Sequence, residues 1–206
     1  MVPRSESEPD GPWNTLRYAV VDVEGNGQHP PEIVELACAP LINGAPGDIF
    51  TLRFQPSKPI TPLATRIHGI RNTSVAGAPT FEAAAPRLMD ALGTAVLVAH
   101  AAHVERDILA RQLTDWHPLA VLDTMRLAKK VWPSLASYKL TSLQEHLAAT
   151  AAGRSHSAAH DAELAREIFL AGVDELSKEG PVTIHRLRDV CGIDIPLDEE
   201  QLALGV

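Results

Sequence analysis

The 206-residue sequence predicts an α/β domain, a sheet of mixed strand direction with helices on its faces. Two observations point to it. Up to residue 54 the chain holds three apolar, strand-like runs joined by short Gly- and Pro-rich links, the pattern of an antiparallel meander. From residue 80 onward, helical periodicity alternates with short, wholly apolar runs, as expected for strands buried on both faces. A third observation concerns size. The length and the 45% hydrophobic content suit one domain with a sizeable core.

The elements follow in order. Residues 1–15, rich in Pro, Ser and acids, read as a disordered lead without the apolar core of a signal peptide. Strands are expected over 17–24 (RYAVVDVE), 32–41 (EIVELACAPL) and 48–54 (DIFTLRF). The stretch 55–70, with prolines at 56, 59 and 62, reads as loop. A helix over 80–92 contains Pro86, which is expected to cap or kink it. A buried strand over 95–100 (AVLVAH) leads to a helix over 103–113. A strand over 120–124, a helix over 125–132 and a helix over 140–149 follow, then a Gly-Arg-Ser loop and a helix over 159–176. The domain is thus placed at 16–176, with 177–206 as a tail that packs at most one small helix.

The formal net charge of −8 excludes a protein relying on a broad basic surface for duplex binding. It leaves open nucleic acid held at a local site through metal ions. Cys38 and Cys191 form no ligand-spaced motif, and a reduced, cytoplasmic setting is the simpler expectation. No apolar run approaches the ~20 residues of a membrane span.

Four acids stand where apolar contacts are expected. Asp22 and Glu24 are two apart on a strand and share a face with Tyr18 and Val20. Two carboxylates so placed repel unless a proton or cation lies between them. On the helix from 103, Glu105 shares a face with Ile108 and Leu109, whereas Asp107 has Arg111 four residues on as a surface partner. On the last long helix, Asp161 lies on the stripe of Leu164, Ala165 and Ile168, where a carboxylate is costly unless paired or metal-bound. Ser157 is a candidate N-cap, which puts His156 in the preceding loop. His160, next to Asp161, points to a different face. All-oxygen donors suit hard divalent cations such as Mg²⁺ or Mn²⁺.

The order of these motifs resembles the DEDDh 3′–5′ exonucleases, DnaQ-like members of the ribonuclease H-like superfamily. VVDVEGNG resembles the Asp-x-Glu motif, and residues 67–70 (IHGI) the His-Gly-Ile that follows it. VAHAAHVERDIL is similar to the second motif, LDTMRLAKKVWP to the Asp-Thr strand and its helix, and HSAAHD to the His-x-x-x-x-Asp motif. The match runs from about Tyr18 to Leu170.

The resemblance implies a ribonuclease H-like sheet and hydrolysis of terminal phosphodiesters at a 3′ end, releasing nucleoside 5′-monophosphates. It implies two Mg²⁺ or Mn²⁺ ions held by Asp22, Glu24, Glu105 and Asp161, with His156 as general base. The glycines after Glu24 are expected to let a nucleotide approach closely, and Gly25, His68, Ile70 and His100 are the candidate substrate contacts. The expected partner is the 3′ end of single-stranded DNA or RNA, with a homodimer and association with a polymerase as further possibilities. Three departures from the family pattern stand out: Glu105 in place of Asp, Ala101 in place of Asn, and Gly25 in place of Thr. Glu105 and Ala101 favour the rival reading, a weakened exonuclease fold kept as a nucleic-acid- or polymerase-binding module, and the intact Asp22, Glu24, His156 and Asp161 oppose it.

Overall fold

The computed structural model describes residues 10–113, 116–148 and 157–194. Its sheet is mixed, as the sequence predicts. Strand β1 (Arg17–Gly25) pairs antiparallel with β2 (Ile33–Ile42). The short β3 (Ala45–Pro46) and β4 (Phe50–Arg53) both pair antiparallel with β2. On its other side β1 runs parallel to β5 (Val96–Ala99), and β5 runs parallel to β6 (Val121–Asp123).

Helices cover both faces, which explains the near-continuous apolar runs of β1, β2 and β5. Tyr18, Val20, Ala37, Ala39, Val96, Val98 and Leu122 pack with α7 (Ala158–Ser177) and α5 (Thr124–Val131). Ala19, Val21, Leu36, Cys38 and Leu97 face α3 (Phe81–Leu92) and α4 (His103–Gln112). Ala158, Ala162 and Ala165 line the sheet-facing side of α7, and Gly172 lets the same helix approach α5. A Cβ there would stand 2.7 Å from Leu127 Cγ and Cδ2. The last helices, α6 (Leu140–Leu147) and α8 (Ile184–Cys191), pack against this face.

Three features depart from the sequence expectation, and Pro86 is placed within its helix. The 55–70 stretch contains a helix, α1 (Pro62–His68), followed by the short α2 (Asn72–Val75). The Thr61 side chain caps α1, Pro62 stands in its first turn and Gly69 closes it in the left-handed region. Proline is favoured at that first position because the missing N–H would be unbonded anyway. Pro86 lies inside α3 without ending it. Within the expected lead, Trp13–Thr15 form a 3₁₀ turn whose tryptophan packs edge-on against Tyr18 and Phe169. Within the expected tail, Ile184 and Leu187 of α8 join the main core, and β7 (Gly192–Ile193) pairs antiparallel with β6.

The parallel strands β1, β5 and β6 all end at the same edge of the sheet. Crevices beyond the carboxyl ends of such strands are where open α/β sheets place their sites.

Candidate active site

Asp22 and Glu24 project from the carboxyl end of β1, on the face that carries Tyr18 and Val20. The ladder with β2 slips between Glu24 and Gly25, so regular pairing carries both acids and breaks directly after them. Glu105 sits in the first turn of α4, just past the end of β5. It is only 5% exposed, with Ile108 and Leu109 buried beside it as its helical phase predicts. Asp161 lies in the first turn of α7. Its backbone N–H donates to Ser157 O, and the Ser157 side chain caps the helix by accepting from His160 N.

These carboxylates, far apart in sequence, act on one another. Asp22 is held well above the usual carboxylate range by burial first, then by Glu105, Glu24, Asp161 and Glu35. Glu24 is pushed up to about 8 by burial and by Asp161 and Glu35. Glu105 is also pushed up to about 8, by burial and by Asp123 and Glu24, with its own backbone amide pulling the other way. A set of acids that each prefer a proton near neutral pH is one that a cation would relieve.

Whether a divalent ion fits can be tested on the donors themselves. Every donor is a carboxylate oxygen, the type that hard cations take. Glu105 Oε2 is buried and has no hydrogen-bond partner, an acceptor left unsatisfied at a cost of about 1–3 kcal/mol. Among the described residues, however, no group of three or more His, Cys, Asp or Glu side chains is drawn together tightly enough to hold an ion as it stands. The donor set fits the group, and chelation requires the side chains to turn inward from backbone positions already in mutual electrostatic reach.

Two further acids belong to this neighbourhood. Glu35 faces Glu24 directly across the β1–β2 ladder and is held by Arg53 Nε at 2.8 Å. Asp123, at the end of β6, accepts from Ala101 N and Met125 N through one oxygen, at 3.1 and 2.8 Å. It thereby ties the end of β5 to the start of α5. The signal for Asp123 was its place as an N-cap directly after an apolar strand. Nothing local marks Glu35, because its role comes from strand register.

The expected substrate contacts look different in three dimensions. His68 Nδ1 accepts from Ile70 N at 3.0 Å, so Nε2 carries the proton and donates to Gly25 O at 3.2 Å. Burial keeps this imidazole's pKa low. His100 is likewise engaged on both nitrogens, Nδ1 with Thr124 Oγ1 and Nε2 donating to Tyr138 O, both at 2.9 Å. Neither ring has a nitrogen left for a nucleotide. Ile70 is buried with Val34, Ile60, Ala64 and Val75 and offers a base no face to stack on. Among the described residues the large apolar side chains in the open are Ile42, at the end of β2, Leu63 and Ile67 on α1 and Val104 beside Glu105, the last three at 60%, 52% and 51% exposure. Leu63 and Ile67 are four apart and share one face of α1.

Gly25 has room for a Cβ, whereas Gly27, at φ +74°, does not. Its Cβ would strike Thr61 Oγ1 and Ala64, so the close approach there is to α1 and not to a nucleotide. Asp107 pairs with the adjacent Arg106, at 2.7 and 2.8 Å, in place of the expected Arg111. His160 is buried as well, with Nε2 4.0 Å from Asp161 Oδ1 and Nδ1 unpartnered. His156 lies outside the described residues.

Comparisons with known proteins bear on the family and the fold. The RNase T model, described as an exonuclease family, matches residues 19–169. The 3′-5′ exonuclease DinG of Bacillus subtilis is 31% identical over 182 residues, covering 85% of this chain and 19% of its own. The chain thus spans about a fifth of that relative's length. The DNA polymerase III subunit epsilon of Aquifex aeolicus is 29% identical over 167 residues, covering 77% of this chain and 81% of its own. Among solved structures, Exonuclease X in complex with 5′ overhanging duplex DNA superposes with a TM-score of 0.68. It is 25% identical and covers 85% of this chain and 98% of its own.

Proposed function

The chain belongs to the RNase T exonuclease family, of the DnaQ-like DEDDh type, and from that premise we propose that it is a metal-dependent 3′–5′ exonuclease acting on single-stranded nucleic acid. Water attacks the terminal phosphorus, the P–O3′ bond breaks, and a nucleoside 5′-monophosphate leaves. The observation that carries the reading is the Glu105 carboxylate. It is buried with one oxygen unpartnered, in electrostatic contact with Asp22 and Glu24 from another element.

Asp22, Glu24, Glu105 and Asp161 would hold two Mg²⁺ or Mn²⁺ ions. When bound, the ions supply Lewis-acid stabilisation of the charge that develops on the attacking and departing oxygens. The chain's own residues do the rest. β1, α4 and α7 supply the four carboxylates from regular elements, so the side chains turn inward as the ions bind while the backbone that carries them stays put. Glu24 and Glu105 prefer protons near neutral pH, so ion uptake at pH 7 displaces protons from them. His156, by its match to the third motif, takes the proton of the attacking water, a role suited to an imidazole that titrates near ~6.5. Leu63, Ile67 and Val104 give the terminal base an apolar surface, and such contacts tolerate any base. Glu105 carries one methylene more than the Asp usual at its place and serves here as the ligand from α4.

The test is degradation of 5′-labelled single-stranded DNA, duplex DNA and RNA with Mg²⁺ or Mn²⁺. A ladder shortening from the 3′ end, with monophosphate product and no activity in Asp22→Asn, is expected. Intact substrate from the wild-type protein across all three substrates and both metals would leave the binding-module reading. A second reading, a proofreading subunit bound to a polymerase, is favoured by the Aquifex epsilon relative, most of whose length the chain covers. Co-purification with a polymerase is its test.

A further inference from the structure

Asn26 is a polar residue at 0% exposure, directly after the Asp-x-Glu strand end, and none of its hydrogen-bonding groups is idle. Its Oδ1 accepts from Gln28 N and Glu32 N, both at 3.1 Å. Its Nδ2 donates to Glu32 Oε1 at 3.2 Å and to Lys58 O at 3.3 Å. Its backbone N–H donates to Glu32 O, and its carbonyl accepts from Thr61 N, both at 2.9 Å. Glu32 extends the network to the 57–58 loop. Its Oε2 accepts from Ser57 N at 2.6 Å, and its Oε1 accepts from Ser57 Oγ at 3.1 Å and Lys58 N at 3.2 Å.

The consequence falls on α1. Thr61, which caps this helix, is bonded to Asn26 at its N-terminal end, and His68, its last residue, donates to Gly25 O. Gly27 allows the close contact between them, since any side chain there would meet Thr61 and Ala64. A seven-residue helix is marginal in isolation, so its position is set by these ties and by the small core around Ala64. Buried polar networks that are fully satisfied fix one geometry more sharply than apolar contacts do. The geometry fixed here is the offset between Glu24, one residue before Gly25, and the exposed face of Leu63 and Ile67.

We propose that Asn26 and Glu32 are positioning residues that hold the Leu63–Ile67 face at the distance from the acid set that a 3′-terminal nucleotide requires, so that they determine affinity and end-recognition without touching the reacting atoms. This rests on the exonuclease reading above. The side-chain network sets the 26–32 turn and the 57–58 loop, whose backbone in turn holds α1 through Asn26 O and Gly25 O, so its loss shifts the apolar face and leaves the carboxylates in place.

The test uses the full chain with Asn26→Ala, Glu32→Gln and the conservative Asn26→Thr, each also combined with Ile67→Ala. Turnover, affinity for a fluorescent single-stranded oligonucleotide and Mn²⁺ affinity by calorimetry are measured together. Asn26→Ala is expected to raise KM and weaken oligonucleotide affinity about tenfold, the low end of what a misplaced apolar contact costs. The kcat should fall less than KM rises, and Mn²⁺ affinity should hold. Asn26→Thr, which keeps an acceptor for the two amides, should recover part of the loss. Adding Ile67→Ala to Asn26→Ala should cost little more, because both act on one contact.

Additive effects of the two substitutions would overturn the proposal, as would a parallel fall in Mn²⁺ affinity or a fall in kcat alone. Glu32→Gln, the milder change, decides the matter if Asn26→Ala does not fold. A wild-type protein that binds oligonucleotide without cleaving it refutes the exonuclease reading while the affinity comparison still tests the network. One that does neither refutes both.

Discussion

Replacing Glu105 by Gln should stabilise the ion-free protein at high pH and abolish its stabilisation by Mn²⁺. Glu105 is 5% exposed and its carboxyl is pushed up to about 8 from an ordinary value of 4.5. Between those two pH values the folded state keeps a proton that the unfolded chain has released. Stability therefore falls as pH rises through that window. At about 1.4 kcal/mol per pH decade, full expression by pH 8 comes to about 4–5 kcal/mol. Relaxation and water entry reduce this, and we take about 2 kcal/mol as the working figure. At roughly 2–4 °C per kcal/mol for a domain of this size, the Glu105→Gln variant avoids a loss of about 4–8 °C. The assay is thermal unfolding of both proteins from pH 5 to 8, in EDTA and in Mn²⁺. In EDTA the melting temperatures should lie within about 2 °C at pH 5, since the window has barely opened half a pH unit above the ordinary value of 4.5, and the variant should gain steadily toward pH 8. In Mn²⁺ the order should reverse, because a carboxamide is a weaker ligand than a carboxylate. A difference in EDTA that stays constant with pH, or wild-type stability that rises from pH 5 to 8, would refute the account of Glu105 as a buried, cation-seeking acid.

Ala101 has φ +60°, a region that costs a non-glycine residue roughly 1–2 kcal/mol. Ala101→Gly is therefore expected to raise stability by about 0.5–1 kcal/mol in denaturant unfolding, with the backbone N–H of residue 101 still donating to Asp123. Gly172→Ala drives a methyl group to within 2.7 Å of Leu127 across the α5–α7 contact and should cost about 1–3 kcal/mol in the same assay. Leu127→Ala in that background should restore part of it. His156→Ala is expected to cut kcat by about 10²-fold or more while calorimetric Mn²⁺ affinity persists; equal loss of both would move His156 from base to ligand.

The mixed sheet, its buried parallel strands and the inward phase of Glu105 were legible in the sequence, because period-2 and period-3.6 patterning is a local property. So was the order of the motifs that mark the family. Helix α1 was legible too, in the Thr-Pro start and the glycine stop, yet its three neighbouring prolines drew a loop reading. Pro62 sits at the one place in a helix where its missing N–H costs nothing.

Other features no local pattern could carry. His68 reaches Gly25 across 43 residues, and His100 reaches Tyr138 across 38. These contacts turn two expected substrate ligands into internal ties. Glu35 meets Glu24 only because the β1–β2 register sets them opposite each other, and Asn26 gathers its partners from segments that the chain separates. The sequence by itself determined which residues carry charge into the sheet edge and on which face of their own element they lie. Tertiary structure alone decided which of them meet, which side chains are spent on one another and which stay open to a ligand. Burial and hydrogen-bond partnership depend on what packs from elsewhere in the chain, and periodicity records only the element's own orientation.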